Sequence, residues 1–203
     1  MQSKKNLKNL KNLKILVECA VMVALAAVLS EFKFSAPFGG SVTIFSMVPI
    51  IIIGLRHGPA WGLGTAFAYS MVQFVFDASK LSGWGVAGAK AMILCTSFDY
   101  IVAFTVLGLA GFFKFAIDKS QNRAKKIAIA SAATLFVCVL RYLSHVFVGA
   151  VLWYELFKDS IAESAWVYST VYNLQYMLPE TIITLIAAPA VVTVLSVINK
   201  KKE

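Results

Sequence analysis

The sequence predicts an all-α, polytopic membrane protein, a bundle of six transmembrane helices with both termini in the cytoplasm. Of its 203 residues, 59% are hydrophobic and 14% are charged, and the mean hydropathy of +0.76 is far above that of a soluble domain. The apolar residues form long runs separated by short polar or Pro- and Gly-containing loops. Lys and Arg are concentrated in alternate loops, which indicates an orientation in the bilayer.

Within this fold class we expect a single integral membrane domain over residues 1–203. Residues 1–12 are expected to form a basic cytoplasmic leader. A KNLKNLKNLK repeat begins within it, and its lysines are expected to bind an anionic inner leaflet. The bundle occupies residues 13–198, and residues 199–203 form a basic tail. The first apolar run, residues 13–29, lacks a small-residue cleavage site and is followed by further spans, so it is interpreted as a retained helix rather than a signal peptide.

The other spans follow from the apolar runs and the prolines. The second span is short and contains Pro49, which a membrane helix tolerates with a kink. The last run exceeds the roughly 20 residues that one span needs. We expect Pro179 and Pro189 to break it, so that its first part descends from the outer surface. The spans after the first are predicted at residues 42–55, 60–76, 86–115, 127–153 and 165–198.

Residues 31–41, EFKFSAPFGGS, are predicted to form the first outer loop because of their Pro and Gly content. This loop also carries Phe32, Phe34 and Phe38. A loop with three aromatic side chains can cover a cavity.

The unequal distribution of Lys and Arg between the loops predicts the orientation of the chain in the bilayer. With both termini inside, the outer loops hold only Lys33, Lys80 and Lys158, while Lys90 and Arg141 fall within spans. The other Lys and Arg residues then lie on the cytoplasmic side, as the positive-inside rule requires. Topology therefore explains the formal net charge of +9. Nucleic-acid binding is not indicated, because the basic residues do not follow one polar face, and we expect a multi-pass protein of the cell membrane.

Sequence motifs do not favour an enzyme. The sequence has no GxxxxGK[ST], HExxH, GxSxG or paired-aspartate motif, which argues against nucleotide hydrolysis or metal chemistry by this chain. Cys19, Cys95 and Cys138 are odd in number, widely spaced and within predicted spans, so neither a disulfide framework nor a metal-ligand spacing is present. We predict no catalytic residues, no metal ligands and no cofactor, and we expect any ATP-driven step to occur on another polypeptide.

The segment RYLSHVFVGAVLW, residues 141–153, carries the first candidate site. His145, Gly149 and Trp153 recur at every fourth residue, which in a helix places them in one stripe. One interpretation is the wall of a ligand site, since an ionisable group inside a membrane indicates function. The alternative is structural, with Trp153 as an interface anchor, Gly149 as a packing notch and His145 as a buried core residue.

Formal charges inside the spans point to the kind of ligand. The apolar interior of the predicted spans contains three such residues, Asp99, Arg141 and Glu180. If one of the two carboxylates pairs with Arg141, the other is left to bind a cation. A desolvated organic cation requires a carboxylate and aromatic faces, each cation–π contact contributing about 2 kcal/mol. A Trp/Tyr interfacial belt is the alternative, but it does not explain Asp99 or Asn173. The unusual polar and aromatic residues near the outer ends of the later spans are Tyr100, His145, Trp153, Trp166, Tyr168, Tyr172, Asn173 and Tyr176.

The first span has a face of small residues. Ala20, Ala24 and Ala27 follow one another at helical spacing, which lets another helix approach closely. Packing within the bundle and docking to a separate membrane subunit both fit this pattern.

Four segments give the chain a family resemblance that covers nearly all of it after the leader. The chain resembles the ThiT family, the thiamine-specific substrate-binding (S) subunits of energy-coupling-factor (ECF) transporters. The four segments are GGSVTIFSMVPIIIIGLRHG (39–58), FDYIVAFTVLGLAG (98–111), RYLSHVFVGAVLW (141–153) and WVYSTVYNLQYMLPE (166–180).

The resemblance implies a site residue by residue. The family has an aromatic residue in the first outer loop that caps the ligand, to which Phe38 corresponds most nearly. One family member has Trp at that position and Glu in place of Asp99. An AxxxA face on the first helix, here Ala20 and Ala24, is implied to dock onto the coupling subunit. The implied substrate-binding residues are Asp99, Tyr100, His145, Gly149, Trp153, Tyr168, Asn173 and Phe38.

The resemblance also implies a function. The chain would capture extracellular thiamine with high affinity and deliver it through a transmembrane coupling subunit and two ATPase subunits, which use the ATP. One alternative is an S subunit for another vitamin or pyrimidine compound. A second alternative, from another class, is a small intramembrane enzyme with Asp99 and His145 as acid and base.

Overall fold

The structure, a computed structural model, describes residues 2–35 and 40–200, without the side chains of residues 2–5, 8 and 198–200. This part of the chain is nearly all helical, as predicted. Its only strands form a small antiparallel hairpin. In order, the elements are α1 Gln2–Glu31, β1 Lys33–Ser35, β2 Ser41–Thr43, α2 Val48–His57, α3 Pro59–Ala78, α4 Ala89–Lys119, α5 Arg123–Ser160, α6 Ala165–Ile186 and α7 Ala188–Lys200.

Four stretches of the described chain are long and apolar enough to cross a membrane, which supports the prediction of a membrane protein. Helix α2 has only ten residues and therefore spans about 15 Å, half of a typical hydrocarbon core. The four stretches are Asn9–Glu31, Ala89–Lys119, Arg123–Ser160 and Ala165–Val197.

The first outer segment is not a plain loop. Strand β1 pairs with β2 in antiparallel register, Lys33 opposite Thr43 and Ser35 opposite Ser41. The side chains of Phe32 and Phe34 are exposed. Phe38 lies outside the described residues, so its predicted place over the cavity stays a prediction.

The second predicted span, residues 42–55, is wrong in its first part. Strand β2 occupies Ser41–Thr43, Phe45 has a positive φ of 58°, and the helix begins only at Val48. Pro49 lies in the first turn of α2, where the missing N–H costs no intrahelical hydrogen bond. Pro49 therefore starts a helix and does not kink one.

The expected break at Pro179 is also wrong, because Pro179 lies inside the uninterrupted helix α6. Packed membrane helices can accommodate the hydrogen bond that a proline removes. The chain breaks instead at Ala187, so that Pro189 falls in the first turn of α7, again the position that proline tolerates.

Glycines bring α2, α3 and α4 into backbone contact. A Cβ added to Gly62 would lie 2.5 Å from the carbonyl oxygen of Gly108, and one added to Gly54 would lie 2.9 Å from the backbone nitrogen of Gly111. Gly108 and Gly111 belong to a 3₁₀ segment of α4, Val106–Phe113. Because the facing atoms belong to the backbone, they cannot move aside as a side chain could. These close contacts therefore fix the positions of the helices relative to one another.

We expect Gly62→Ala to lower the free energy of unfolding by about 1–3 kcal/mol, because the new methyl group overpacks a backbone contact. Thermal unfolding of purified protein in detergent measures this. Gly64→Ala on the same helix is the control, since a Cβ there meets nothing within 4 Å and replaces a flexible glycine. Equal unfolding temperatures for the two variants would contradict the packing argument.

Candidate functional site

A cavity of about 950 Å³ opens between the β1–β2 hairpin, residues 79–88 and helices α4, α5 and α6. This volume is typical of a small-molecule site. Aromatic rings and a few charged groups make up much of its wall. The lining residues are Lys33, Ser35, Gly40, Ser41, Asp77, Lys80, Gly83, Trp84, Gly85, Asp99, Tyr100, Phe104, Arg141, His145, Gly149, Trp153, Phe157, Tyr168, Tyr172, Asn173 and Tyr176.

Two π-helical segments face this cavity. One, Cys95–Val102 in α4, carries Asp99 and Tyr100, and the other, Gly149–Trp153 in α5, carries two more lining residues. A π turn inserts an extra residue into the helical ladder and therefore shifts the direction of the side chains that follow, which is why such turns recur at functional sites. A regular helix would aim these side chains differently.

Asp99 is the centre of the polar part of the wall. The indole nitrogen of Trp153 donates to its Oδ2 at 2.7 Å, and Nδ1 of His145 lies 2.9 Å from its Oδ1. In the neutral tautomer of His145 that donates from Nδ1 to Asp99, Nε2 is an acceptor. Nε2 is buried, with no hydrogen-bond partner among the described residues. The predicted stripe thus converges on the predicted carboxylate.

The second buried carboxylate has a different partner. Oε2 of Glu180 lies 3.2 Å from Nη1 of Arg141, and Glu180 is only 1% exposed. The guanidinium of Arg141 also lies 4.3 Å from the ring centre of Phe104. Glu180 is therefore the carboxylate that neutralises Arg141, and Asp99 is left for the cavity.

Stacked aromatic rings form the rest of the wall. The rings of Trp153 and Phe157 are nearly parallel, with centroids 6.4 Å apart. Tyr168 stacks on Tyr172, one turn further along α6, with the centroids 5.6 Å apart. Such faces carry negative potential and suit a positively charged ring.

Asn173 lies in the cavity wall, but its amide is engaged with the protein. Its Nδ2 donates to the carbonyl of Ser169 at 2.8 Å, and its Oδ1 accepts from the hydroxyl of Tyr176 at 2.5 Å. A Cβ added to Gly149 would collide with the side chains of Ser169 and Asn173. Both Gly149 and Asn173 therefore hold α5 and α6 together, which is the structural interpretation of Gly149 as a packing notch, while they also line the cavity.

The structure brings most of the sequence-predicted site together. Phe38 lies outside the described residues, and Trp166 is 56% exposed and does not line the cavity. Ala20 and Ala24 are exposed on α1, away from the cavity, whereas Ala27 is buried. The predicted binding residues that line the cavity are Asp99, Tyr100, His145, Gly149, Trp153, Tyr168 and Asn173.

Sequence reasoning missed the lining residues at the end of α3 and in residues 79–88. Asp77 accepts a hydrogen bond from Tyr100 at 3.3 Å and pairs with Lys80 at 2.7 Å. The hydrogen bond between Lys80 and Asp77 raises the pKa of the Lys80 ammonium, so Lys80 stays charged and neutralises Asp77. The available signal was position, since Asp77, Lys80 and Trp84 all lie in residues 77–85, the outer loop between the predicted spans 60–76 and 86–115.

Known proteins resemble this chain over most of its length. A family model described as Thiamine transporter protein (Thia_YuaJ) matches residues 16–200. Thiamine transporter ThiT of Bacillus subtilis is 36% identical over 177 residues, which cover 83% of this chain and 84% of the relative. Thiamine transporter ThiT of Lacticaseibacillus paracasei is 22% identical over 183 residues, which cover 89% and 87%.

A solved structure shares the fold. The structure of ThiT from Listeria monocytogenes superimposes with a TM-score of 0.73 at 23% identity and covers 91% of this chain and 96% of its own. The family is a transport family and not a family of enzymes. On the match of the family model and the 36% identity to the Bacillus protein, the chain belongs to the thiamine transporter protein family.

Proposed function

We propose that this chain is the high-affinity thiamine-binding subunit of an ECF-type vitamin uptake transporter. The names of its relatives support thiamine as the ligand. The observation that carries the proposal is the Asp99 carboxylate, held by His145 and Trp153 at the wall of an aromatic cavity. Thiamine has a thiazolium ring with a permanent positive charge. A carboxylate and aromatic faces compensate this charge, whereas lipid would not.

The parts of the ligand have separate partners in this proposal. The thiazolium and pyrimidine rings pack against Trp153 and His145, and Asp99 supplies the compensating charge. Nε2 of His145 and the hydroxyl of Tyr168 remain for the polar edge of the aminopyrimidine. Asn173 acts through the amide contacts that fix the α5–α6 wall, and Phe38 caps the ligand.

The site opens to the outside in a single domain of six spans with both termini in the cytoplasm. The hairpin and residues 79–88, which border the cavity, hold Lys33 and Lys80, two of the few basic residues assigned to the outer side. The basic residues of the opposite end, such as Lys114 and Arg123, then face the cytoplasm.

Delivery inward requires a transmembrane coupling subunit and two ATPase subunits. We propose that the coupling subunit docks on Ala20 and Ala24, whose small side chains are exposed on α1. Exposed apolar residues, Val17 and Val21, flank them. A partner helix can approach such a face closely.

We expect Asp99→Asn to weaken thiamine binding at least about 30-fold, because losing the charge opposite a desolvated cation costs about 2 kcal/mol or more. Isothermal titration of purified protein, which should show one site per chain, measures this. Asp159→Asn, an exposed acid outside the cavity, is the control. Wild-type affinity in Asp99→Asn would contradict the assigned role.

The same titrations separate the alternatives. Tighter binding of another vitamin or pyrimidine compound than of thiamine would identify a different S subunit. Chemical conversion of the bound ligand without partners would favour an intramembrane enzyme.

We expect thiamine to quench tryptophan fluorescence, and Trp153→Ala to abolish binding because both the aromatic face and the hydrogen bond to Asp99 are lost. Fluorescence titration of the wild type measures the quenching, and isothermal titration measures binding by Trp153→Ala, because the substitution removes the fluorescent reporter itself. Trp166→Ala is the matched control, since Trp166 is exposed and away from the cavity. Tight binding that survives Trp153→Ala would reject the site.

We expect the double substitution Ala20→Leu with Ala24→Leu to prevent association with the coupling subunit, because the larger side chains hold the partner helix away. Co-purification with the coupling module measures this, and thiamine binding by the isolated chain should stay unchanged. Ala132→Leu, at an exposed alanine of α5, is the control. Normal complex formation by the double variant would contradict the docking face.

A further inference from the structure

The hairpin that borders the cavity is fastened at its inner end to a buried ion pair. The hydroxyl of Thr43, the last residue of β2, donates to Oε1 of Glu180 at 2.5 Å and accepts from the hydroxyl of Ser46 at 2.5 Å. Ser46→Ala, which removes only the second of these bonds, should behave like the wild type in the experiments below. Glu180 uses its other oxygen for Arg141, at 3.2 Å. One carboxylate therefore connects three elements, the hairpin, α6 and α5.

The hairpin meets α6 at a second point on the same face. A Cβ added to Gly40, which has a φ of 71°, would lie 2.6 Å from Cδ1 of Tyr176, so the hairpin backbone rests on this ring. Tyr176 and Glu180 are four residues apart and hence one helical turn apart along α6. Tyr176 in turn bonds Asn173, which joins α6 to α5. The hairpin is thus held against the helix face that carries the site.

The hydrogen bond from Thr43 to Glu180 is strong because its acceptor is a charged and buried carboxylate. Glu180 is 1% and Arg141 6% exposed, so water does not compete for their contacts. A hydrogen bond to a carboxylate is roughly twice as strong as one between neutral groups. Arg141 pairs with Glu180 at 3.2 Å and itself lines the cavity.

We propose that Glu180 is a positioning residue that locks the β1–β2 hairpin over the cavity through Thr43 and thereby sets how long the ligand is held. Lys33, Ser35, Gly40 and Ser41 of this segment line the cavity, so a ligand that leaves past the hairpin must move it. Moving it breaks the Thr43–Glu180 hydrogen bond. The effect on ligand release rests on the proposed function, whereas the attachment of the hairpin does not.

The test uses Thr43→Val, which removes the hydroxyl at nearly constant volume, because a change of Glu180 itself would leave Arg141 without its counter-ion and endanger folding. Thr43→Ser keeps a hydroxyl. Thr181→Val is the matched control, since that hydroxyl bonds the carbonyl of Met177 within α6, next to Glu180. A single cooperative thermal unfolding transition should show that each variant is folded.

The first measurement is hydrogen–deuterium exchange of residues 32–35 and 40–44 without ligand, which follows hydrogen bonds such as that from the Ile44 amide to the Phe32 carbonyl. We expect exchange about tenfold faster in Thr43→Val, and wild-type exchange in Thr43→Ser and Thr181→Val. Unchanged exchange in Thr43→Val overturns the attachment, whether or not thiamine binds.

The second measurement is the dissociation rate of thiamine, followed by tryptophan fluorescence after dilution into excess competitor. We expect release about tenfold faster from Thr43→Val and unchanged from both other variants. Faster hairpin exchange with an unchanged release rate overturns the role in retention. A wild-type protein that binds no thiamine refutes the proposed function, and the exchange experiment still decides the attachment.

Discussion

Compensation of buried charge is the constraint on which the rest of this structure depends. An ionised group inside an apolar bundle must find partners there, since lipid offers none. Glu180 lies 3.2 Å from Arg141, which lines the cavity, and the two charges neutralise each other. Among the described residues, the hydrogen-bond donors to Asp99 are the ring of His145, the indole of Trp153 and the thiol of Cys95, none of them a Lys or Arg, so its charge is available to a ligand. The two carboxylates have different roles because their partners differ.

Backbone geometry sets where those partners can meet. The glycine contacts between α3 and α4, such as Gly62 with Gly108, bring the helices closer than any side chain allows. The π segments at Cys95–Val102 and Gly149–Trp153 then turn the side chains of α4 and α5 towards one another. The π segments and the close glycine contacts, both departures from regular helix packing, therefore position the site. The small residues that permit close approach of the helices are as important for the site as its polar residues.

The hairpin shows where local patterns did not suffice. Pro and Gly in residues 31–41 indicated a break between helices, but not that Lys33–Ser35 would pair with Ser41–Thr43. Strands of three residues have no periodicity long enough to recognise. Pro179 indicated a break that packing overrides, because neighbouring helices can accommodate the lost hydrogen bond.

The sequence by itself determined that the chain is a helical membrane protein, and its motifs pointed to the transporter family that the comparisons then showed. It also singled out Asp99, His145 and Trp153, because charge and aromatic groups in an apolar run are costly and so stand out. Only the tertiary structure decided that Glu180 and not Asp99 pairs with Arg141. Pairing depends on contacts between distant segments, which no local pattern encodes.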